Sequence, residues 1–271
     1  MNLEIPVSVI IPCYRCDKTI ERAFISVVNQ KQRPAEIFLV DDFSDDQSKT
    51  IDLLMTLKKQ HQWLNVKVIE LKVNQGPSSA RNVAWKEVTQ PYIAFLDADD
   101  AWHPDKLALQ YQWMSSHPDA VLTAHSSFII KDSSCDVPKI SNRLNFCRVS
   151  PLRLLLFNYL PTRAVMLNRD LKYRFFNDKR YSEDYLLWLL IVLDGHPAYY
   201  LDQQLSYSFK NDFGDSGLTS DIYKTHRGLI DTYRQLLYSK KIPTLFFLIA
   251  VCFLKIKLLR RYIIIFSRKL F

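Results

Sequence analysis

Four short constellations in this chain have residue types and spacings that can do chemistry. Asp97-Ala98-Asp99-Asp100 directly follows the apolar run Tyr92-Ile93-Ala94-Phe95-Leu96. Alternating carboxylates at a strand end offer only oxygen ligands, which suits a hard divalent cation that keeps some water and shares phosphate oxygens. A cap on a helix starting near Trp102 or His103 would account for one of these acids, not for three like charges. Asp41-Asp42-Phe43-Ser44-Asp45-Asp46 is a second acidic turn. It reads either as a solvated turn with a cap at Ser44 or Asp46, or as a fixed carboxylate that accepts the imide N–H of a uracil. Asn74-Gln75-Gly76-Pro77-Ser78-Ser79-Ala80-Arg81-Asn82 holds the only glycine of the first 194 residues. Glycine there permits positive φ or a close backbone approach. Arg81, one turn into the helix that follows, faces a diphosphate or salt-bridges an acidic cluster, and the sequence leaves both open. Glu183-Asp184 precedes an apolar helical run containing Trp188. The pair reads as a first-turn complement to the helix dipole or as a general base that takes a proton from an attacking hydroxyl.

Other chemistries find little support. Cys13 and Cys16 have redox-motif spacing just after a strand, but their flanks add nothing and no second pair has zinc spacing. The six histidines lack metal-ligand spacing, and no Ser–His–Asp set or Walker-type phosphate loop is visible.

The elements that must position these groups alternate in the first half. Val7-Ser8-Val9-Ile10-Ile11 is a strand that Pro12 is expected to stop, and 19–30 carries a helical apolar stripe. Strands over 36–40, 65–71 and 92–96 alternate with helices over 48–61 and 78–87. Short, doubly buried strands of this kind predict an α/β fold: an open, Rossmann-like, mostly parallel sheet with helices on both faces. Ligands of such sheets sit outside the carboxyl ends of the strands, where both acidic runs fall. Later, 103–113 reads as a helix, 120–130 as a strand, 132–145 as a polar loop, 151–158 and 185–193 as helices, and 210–220 as a mobile loop.

Composition sets the bounds. Hydrophobic content of 48% and aromatic content of 13% exclude disorder for the body. Five cysteines in a long chain fit reduced thiols rather than a disulfide framework. Met1 to Pro6 has an acid and no apolar run, so no signal peptide is expected, and the longest apolar run, 245–254, is ten residues, about half of what a membrane span needs. The formal net charge is +8, yet residues 232–271 contain nine basic and no acidic side chains. The first 231 residues therefore balance 27 basic against 28 acidic groups, which speaks against nucleic acid as a partner of the body.

Five ordered motifs carry a resemblance across roughly residues 5–220. They are Val7 to Tyr14 by way of Pro12, Ile37 to Ser44 with Asp41-Asp42, Asn74-Gln75-Gly76 with Ala80-Arg81-Asn82, Phe95 to Asp100, and Ser182-Glu183-Asp184 with Trp188. In this order and spacing they resemble family-2 glycosyltransferases, in particular bacterial lipopolysaccharide and exopolysaccharide enzymes. The resemblance implies a GT-A fold and inverting transfer from a nucleotide-sugar, with a UDP-sugar expected, to a lipid-linked or lipopolysaccharide-type glycan. It implies that Pro12 and Tyr14 line the nucleotide pocket, Asp42 binds uracil, Arg81 lies near the nucleotide and Asp97 holds the ribose. Asp99 would bind Mn²⁺ or Mg²⁺, Asp184 would be the base, and Glu183 and Trp188 would shape the acceptor side. Residues 1–100 would form the nucleotide half and 101–238 the acceptor half. Without a covalent nucleophile, a base and a metal suffice for one in-line displacement.

Two departures stand out. Phe43 replaces the glycine usual after the paired aspartates. Tyr207-Ser208-Phe209-Lys210 stands where the family often has Tyr-Arg-x-His, so Lys210 becomes a candidate cation for the diphosphate. An inactive nucleotide-sugar-binding subunit, or a peripheral scaffold of a glycan assembly complex, are the competing functions. In the tail, 239–271, a helical projection puts Ile256, Leu259, Tyr262, Ile263 and Phe266 on one face, opposite Lys257, Arg260, Arg261 and Arg268. That pattern predicts an amphipathic helix on an anionic membrane surface, and a cytoplasmic enzyme peripheral to the inner face of the membrane. The competing reading is a helix packed on the body.

Overall fold

The computed structural model describes residues 4–130, 140–141, 144–209 and 221–270, with the main chain alone over 264–270. The first half alternates β1 (Glu4–Cys13), α1 (Ile20–Val28), β2 (Arg33–Asp41), α2 (Lys49–Gln60), β3 (Val66–Glu70), α3 (Pro77–Glu87) and β4 (Tyr92–Phe95). These four strands are parallel, in the order β3-β2-β1-β4. Side chains alternate between two cores along each strand. Val7, Val9 and Ile11 of β1 and Ile37 and Leu39 of β2 pack towards α1 and α2, whereas Ile10, Phe38 and Val40 pack towards α3. Burial on both faces is why these strands are apolar throughout.

The second half comprises β5 (Asp100–Trp102), α4 (Lys106–Ser116), β6 (Leu122–Ile129), β7 (Phe146–Arg148), α5 (Pro151–Leu156), a 3₁₀ turn (Thr162–Ala164), β8 (Met166–Asn168), α6 (Glu183–Leu193), β9 (Ala198–Ser208), α7 (Ile222–Tyr238) and α8 (Thr244–Leu270). β8 enters antiparallel between β4 and β6, β9 runs parallel to β6, and β5 and β7 run antiparallel to β9. Among the described residues, six of nine strands share one direction, so the sheet is mostly parallel with helices on both faces.

Pro12 does not end β1, which continues to Cys13 with Pro12 opposite Val40. Ile10 accepts from Leu96 on the β4 side, while Cys13 accepts from Asp42 on the β2 side. The amide that proline lacks therefore points past the end of β4, where no bond is lost. The helix expected over 103–113 starts at Lys106, after Pro104. The loop expected over 132–145 and that over 210–220 lie almost wholly outside the described residues.

The tail is largely one helix, and one face of it packs on the body. Ile242, Ala250 and Leu254 are buried in the core shared with α6 and α7, so the core continues across the boundary expected at 239. The opposite face carries exposed Leu245, Leu248, Ile249, Ile256, Leu259 and Ile263. The basic face expected to be solvated is partly consumed by docking. Lys257 Nζ donates to the Leu156 carbonyl at 2.8 Å and lies over the rings of Phe157 and Phe253. The side chains of Phe266 and Arg268 lie outside the described residues. No described helix is long and apolar enough to cross a membrane. Leu254→Ala should lower the unfolding free energy by about 2–4 kcal/mol, whereas Ile256→Ala should change it by less than about 0.5 kcal/mol. Denaturant titration of the two variants distinguishes the docked face from the bare one.

Candidate active site

The carboxyl ends of β1, β2 and β4 bring the motifs to one edge of the sheet, and the acids there have specific partners. In the turn after β2, Asp41 accepts from the Ser44 hydroxyl and amide, Asp45 pairs with Arg15, and Asp46 accepts from Thr50. Asp42 is buried and accepts the amides of Gln75 at 2.8 Å and Gly76 at 2.7 Å, one on each oxygen. It therefore fastens the glycine loop to the end of β2, and burial raises its pKa. Gly76 takes φ +87°, a conformation that favours glycine. Phe43 adopts φ +55° without that freedom, so the turn keeps the shape glycine would give it. Tyr14 is exposed with its hydroxyl 3.3 Å from Asp45, and Pro12 is half-buried beneath it in β1.

Arg81 resolves the choice the sequence left open. Its guanidinium is 4% exposed and donates to Asp97 at 2.7 Å and to Glu183 at 3.1 Å. It thus bridges the end of β4 to the start of α6. Burial alone would lower its pKa, but Asp97 and Glu183 hold it above the usual value. Arg81 is an acidic-cluster partner whose charge is committed inside the protein.

Glu183 and Asp184 open α6 behind Ser182, which sits at φ +56°. Backbone strain in a non-glycine residue clusters at functional sites. Glu183 is buried, and burial with Asp184 beside it pushes its pKa up to about 7 against the opposing pull of Arg81. Asp184 accepts from the Thr162 hydroxyl at 2.9 Å on one oxygen and from the Tyr185 amide at 2.7 Å on the other. Burial raises its pKa and the Thr162 hydrogen bond opposes that shift. The next residue, Arg163, reaches the other acidic group, donating to Asp100 at 3.3 Å and to Ser127 at 2.7 Å. Burial pushes Asp100 up to about 7 while Arg163 pulls it down. Neither Thr162 nor Arg163 was legible as a site residue, because no local pattern marks one hydroxyl and one cation in Pro161-Thr162-Arg163-Ala164.

These arginines change the argument about Asp97 to Asp100. Asp97 pairs with Arg81 and Asp100 with Arg163, so like-charge repulsion alone does not demand a cation. Asp99 remains half-buried at the rim, where Arg22 donates to its carbonyl at 2.7 Å and lies over the ring of Phe209. Among the described residues, no group of three or more His, Cys, Asp or Glu is arranged to hold a metal. Asp99 would therefore offer a divalent cation a single oxygen ligand, and the rest would have to come from phosphate and water.

Trp188 departs from its expected role. It is fully buried against Phe95 and Phe175, and so forms core rather than acceptor surface. A helix apolar on all sides is buried on all sides, and α6 is such a helix. Lys210 lies outside the described residues.

The profile of glycosyl transferase family 2 matches residues 8–174. A UDP-Glc:alpha-D-GlcNAc-diphosphoundecaprenol beta-1,3-glucosyltransferase of Escherichia coli, WfaP, is 31% identical over 202 residues, which cover 71% of this chain and 72% of the relative. Among solved structures, S. aureus TarS 1–349 in complex with UDP-GlcNAc superposes with a TM-score of 0.67 at 22% identity, covering 86% of this chain and 67% of that one. The mannosyltransferase PcManGT from Pyrobaculum calidifontis, in complex with GDP-Man and Mn²⁺, gives 0.65 at 19% identity, covering 92% of this chain and 69% of that one. The fold is GT-A, the match spans the glycine loop, the Asp97 to Asp100 run and the Thr162 turn, and the chain belongs to glycosyl transferase family 2.

Proposed function

We propose that this glycosyltransferase is an inverting, cation-assisted enzyme that moves a sugar from a UDP-sugar to a hydroxyl of a lipid-linked or lipopolysaccharide-type glycan. The observation that carries the reading is Arg81 joining Asp97 at the end of β4 to Glu183 beside Asp184. This pair of contacts ties the end of β4, where the donor would bind, to the start of α6, where the base would stand. The name of WfaP, with its UDP-sugar donor and diphosphoundecaprenol acceptor, supports these substrate classes for this chain.

In this mechanism Asp184 removes the acceptor hydroxyl's proton as the oxygen attacks the anomeric carbon from the face opposite the leaving diphosphate. The raised pKa of Asp184 favours proton uptake in the transition state. Asp42 holds Gln75 and Gly76 at the nucleotide rim, with Tyr14 and Pro12 lining the base and Asp97 the ribose. Glu183 keeps the acceptor side polar while sharing Arg81. Mn²⁺ or Mg²⁺, held by Asp99 and donor phosphate oxygens, would supply charge neutralisation for the departing nucleoside diphosphate. Lys210 is a further candidate for the diphosphate.

The exposed stripe on α8 is assigned to the surface of an anionic membrane, placing the enzyme at the cytoplasmic face beside lipid-linked acceptor. Lys255 and Arg260 are exposed and flank the stripe on either side in projection, where long cationic side chains can reach headgroups while apolar residues insert.

Two measurements test these readings. With UDP-glucose and UDP-GlcNAc as donors, GlcNAc-diphosphoundecaprenol as acceptor and Mn²⁺ present, Asp184→Asn should lose about 10²–10⁴-fold in kcat. Asp99→Ala should abolish stimulation by the metal; full activity in both variants would overturn the mechanism. Leu248→Glu with Ile256→Glu should prevent co-sedimentation with phosphatidylglycerol vesicles while leaving circular dichroism unchanged. This pair is a cleaner test than removing 240–271, which would also strip Ile242, Ala250 and Leu254 from the core.

A further inference from the structure

The 3₁₀ turn Thr162–Ala164 is held more tightly than its length would suggest. Its backbone closes with Ala164 N–H on Pro161 O at 2.8 Å and Val165 N–H on Thr162 O at 3.1 Å. Side chains from two other elements grip its carbonyls. The Trp102 indole donates to Arg163 O at 2.7 Å, and the Gln110 amide donates to Ala164 O at 3.1 Å. Phe95, the last residue of β4, donates its amide to Val165 O. Thr162 is itself buried, so its hydroxyl is aimed from an immobile main chain. Its hydrogen bond goes to Asp184 Oδ2, across 22 residues of sequence.

We propose that Thr162 is a positioning residue for the transfer reaction, its hydroxyl orienting the Asp184 carboxylate and holding it in the ionised form that accepts the acceptor's proton. The inference rests on the assignment of Asp184 as the base. Asp184 Oδ1 is fixed by the Tyr185 amide of its own helix, which leaves rotation about the side chain's outer bond to be settled by Oδ2. Thr162 is the group from outside α6 that settles it. With each oxygen already accepting one hydrogen bond, each keeps one lone-pair direction, and the direction open to an incoming hydroxyl is set by where Thr162 sits.

Charged and titratable groups face Asp184 from several elements. Glu183 and Tyr185 lie beside it on α6, Arg81 approaches from α3, Asp97 from the end of β4, and Lys179 from the segment before α6. Burial and Asp97 favour the neutral acid, whereas Thr162, Arg81 and the Tyr185 amide favour the carboxylate. Removing the Thr162 hydroxyl takes away a donor to the charged form and leaves every opposing group in place. The carboxyl then ionises at higher pH, and activity that needs the carboxylate is lost sooner on acidification.

The test is a pair of titrations on the full chain. In protein labelled with [¹³C]aspartate, the Asp184 resonance is assigned by its disappearance in Asp184→Asn. In Thr162→Val it should titrate about one pH unit higher than in the wild type, the shift expected for a lost hydrogen bond to a charged group. Thr162→Ser, which keeps the donor, should restore the wild-type midpoint. The acid limb of kcat/KM for GlcNAc-diphosphoundecaprenol, measured with UDP-glucose saturating, should move by the same amount, and kcat should fall about tenfold while donor KM stays fixed. Thr162→Ala carries the same expectation and serves if the valine variant does not fold. An unmoved Asp184 resonance in Thr162→Val or Thr162→Ala overturns the positioning role, whatever the rates. A moved resonance with full activity in Asp184→Asn instead overturns Asp184 as the base, so the two failures are distinguishable.

Discussion

The buried guanidinium of Arg81 is the constraint on which the site depends. Removing a charge from water is expensive unless its partners are fixed, and breaking such a pair by removing one member typically costs about 3–5 kcal/mol. Arg81 meets that requirement with Asp97 on one side and Glu183 on the other, while its guanidinium carbon lies 5.1 Å from the centroid of the Phe175 ring. Those two acids belong to different elements, the end of β4 and the first turn of α6, and are far apart in sequence. Once Arg81 is buried, the end of β4 and the start of α6 cannot drift apart without exposing three uncompensated charges. The relation between the end of β4 and the start of α6 is therefore an electrostatic requirement of folding.

The same logic assigns most of the acids at this edge a structural partner. Asp41, Asp45 and Asp46 close the turn after β2, Asp42 fastens the glycine loop, and Asp100 is matched by Arg163. A carboxylate accepting two backbone amides is stabilised where it sits and lends its rigidity to the segment it grips. Asp42 thus fixes the glycine loop through the amides of Gln75 and Gly76. Asp184 differs in its partners rather than in the direction of its pKa, which burial raises as it does at Asp42 and Asp100. Its oxygens take one side-chain hydroxyl, from Thr162, and one amide of its own helix, so it fastens no loop by backbone amides.

The chain declared its parallel half openly, because strands buried on both faces between amphipathic helices leave a strong local pattern. β5, β7 and β8 span three residues each, too short for any periodicity, and exist through their pairing with β4, β6 and β9. β9 has a polar middle at Asp202-Gln203-Gln204 that conceals a strand flanked by partners. The motif residues were visible as types, but their partners were not. Nothing local says that Arg81 meets Glu183, 102 residues later, or that Thr162 meets Asp184. Trp188 was misplaced for the opposite reason, since its neighbourhood to the acidic pair outweighed the all-round apolar character of α6. Motif order locates a site, whereas the pairing of charges across the sheet decides what each member does there.

Charge bookkeeping in the tail follows from docking. Nine basic residues without an acid over 232–271 suggest a strong electrostatic anchor, but a helix that packs one face on the body turns some of its cations inward. Lys257 is spent on the Leu156 carbonyl and two aromatic rings, and burial holds both it and Arg261 below their usual pKa values. Lys241 pairs with Asp194. Cations withdrawn in this way no longer attract lipid headgroups, so net charge overstates the attraction available to the membrane. What remains outward is an apolar stripe with Lys255 and Arg260 at its margins. In the proposed membrane contact, apolar insertion would supply most of the binding, with charge selecting anionic surfaces. A helix bound in this way would lie between the membrane and the body, because the face left to insert is opposite the face that holds the body.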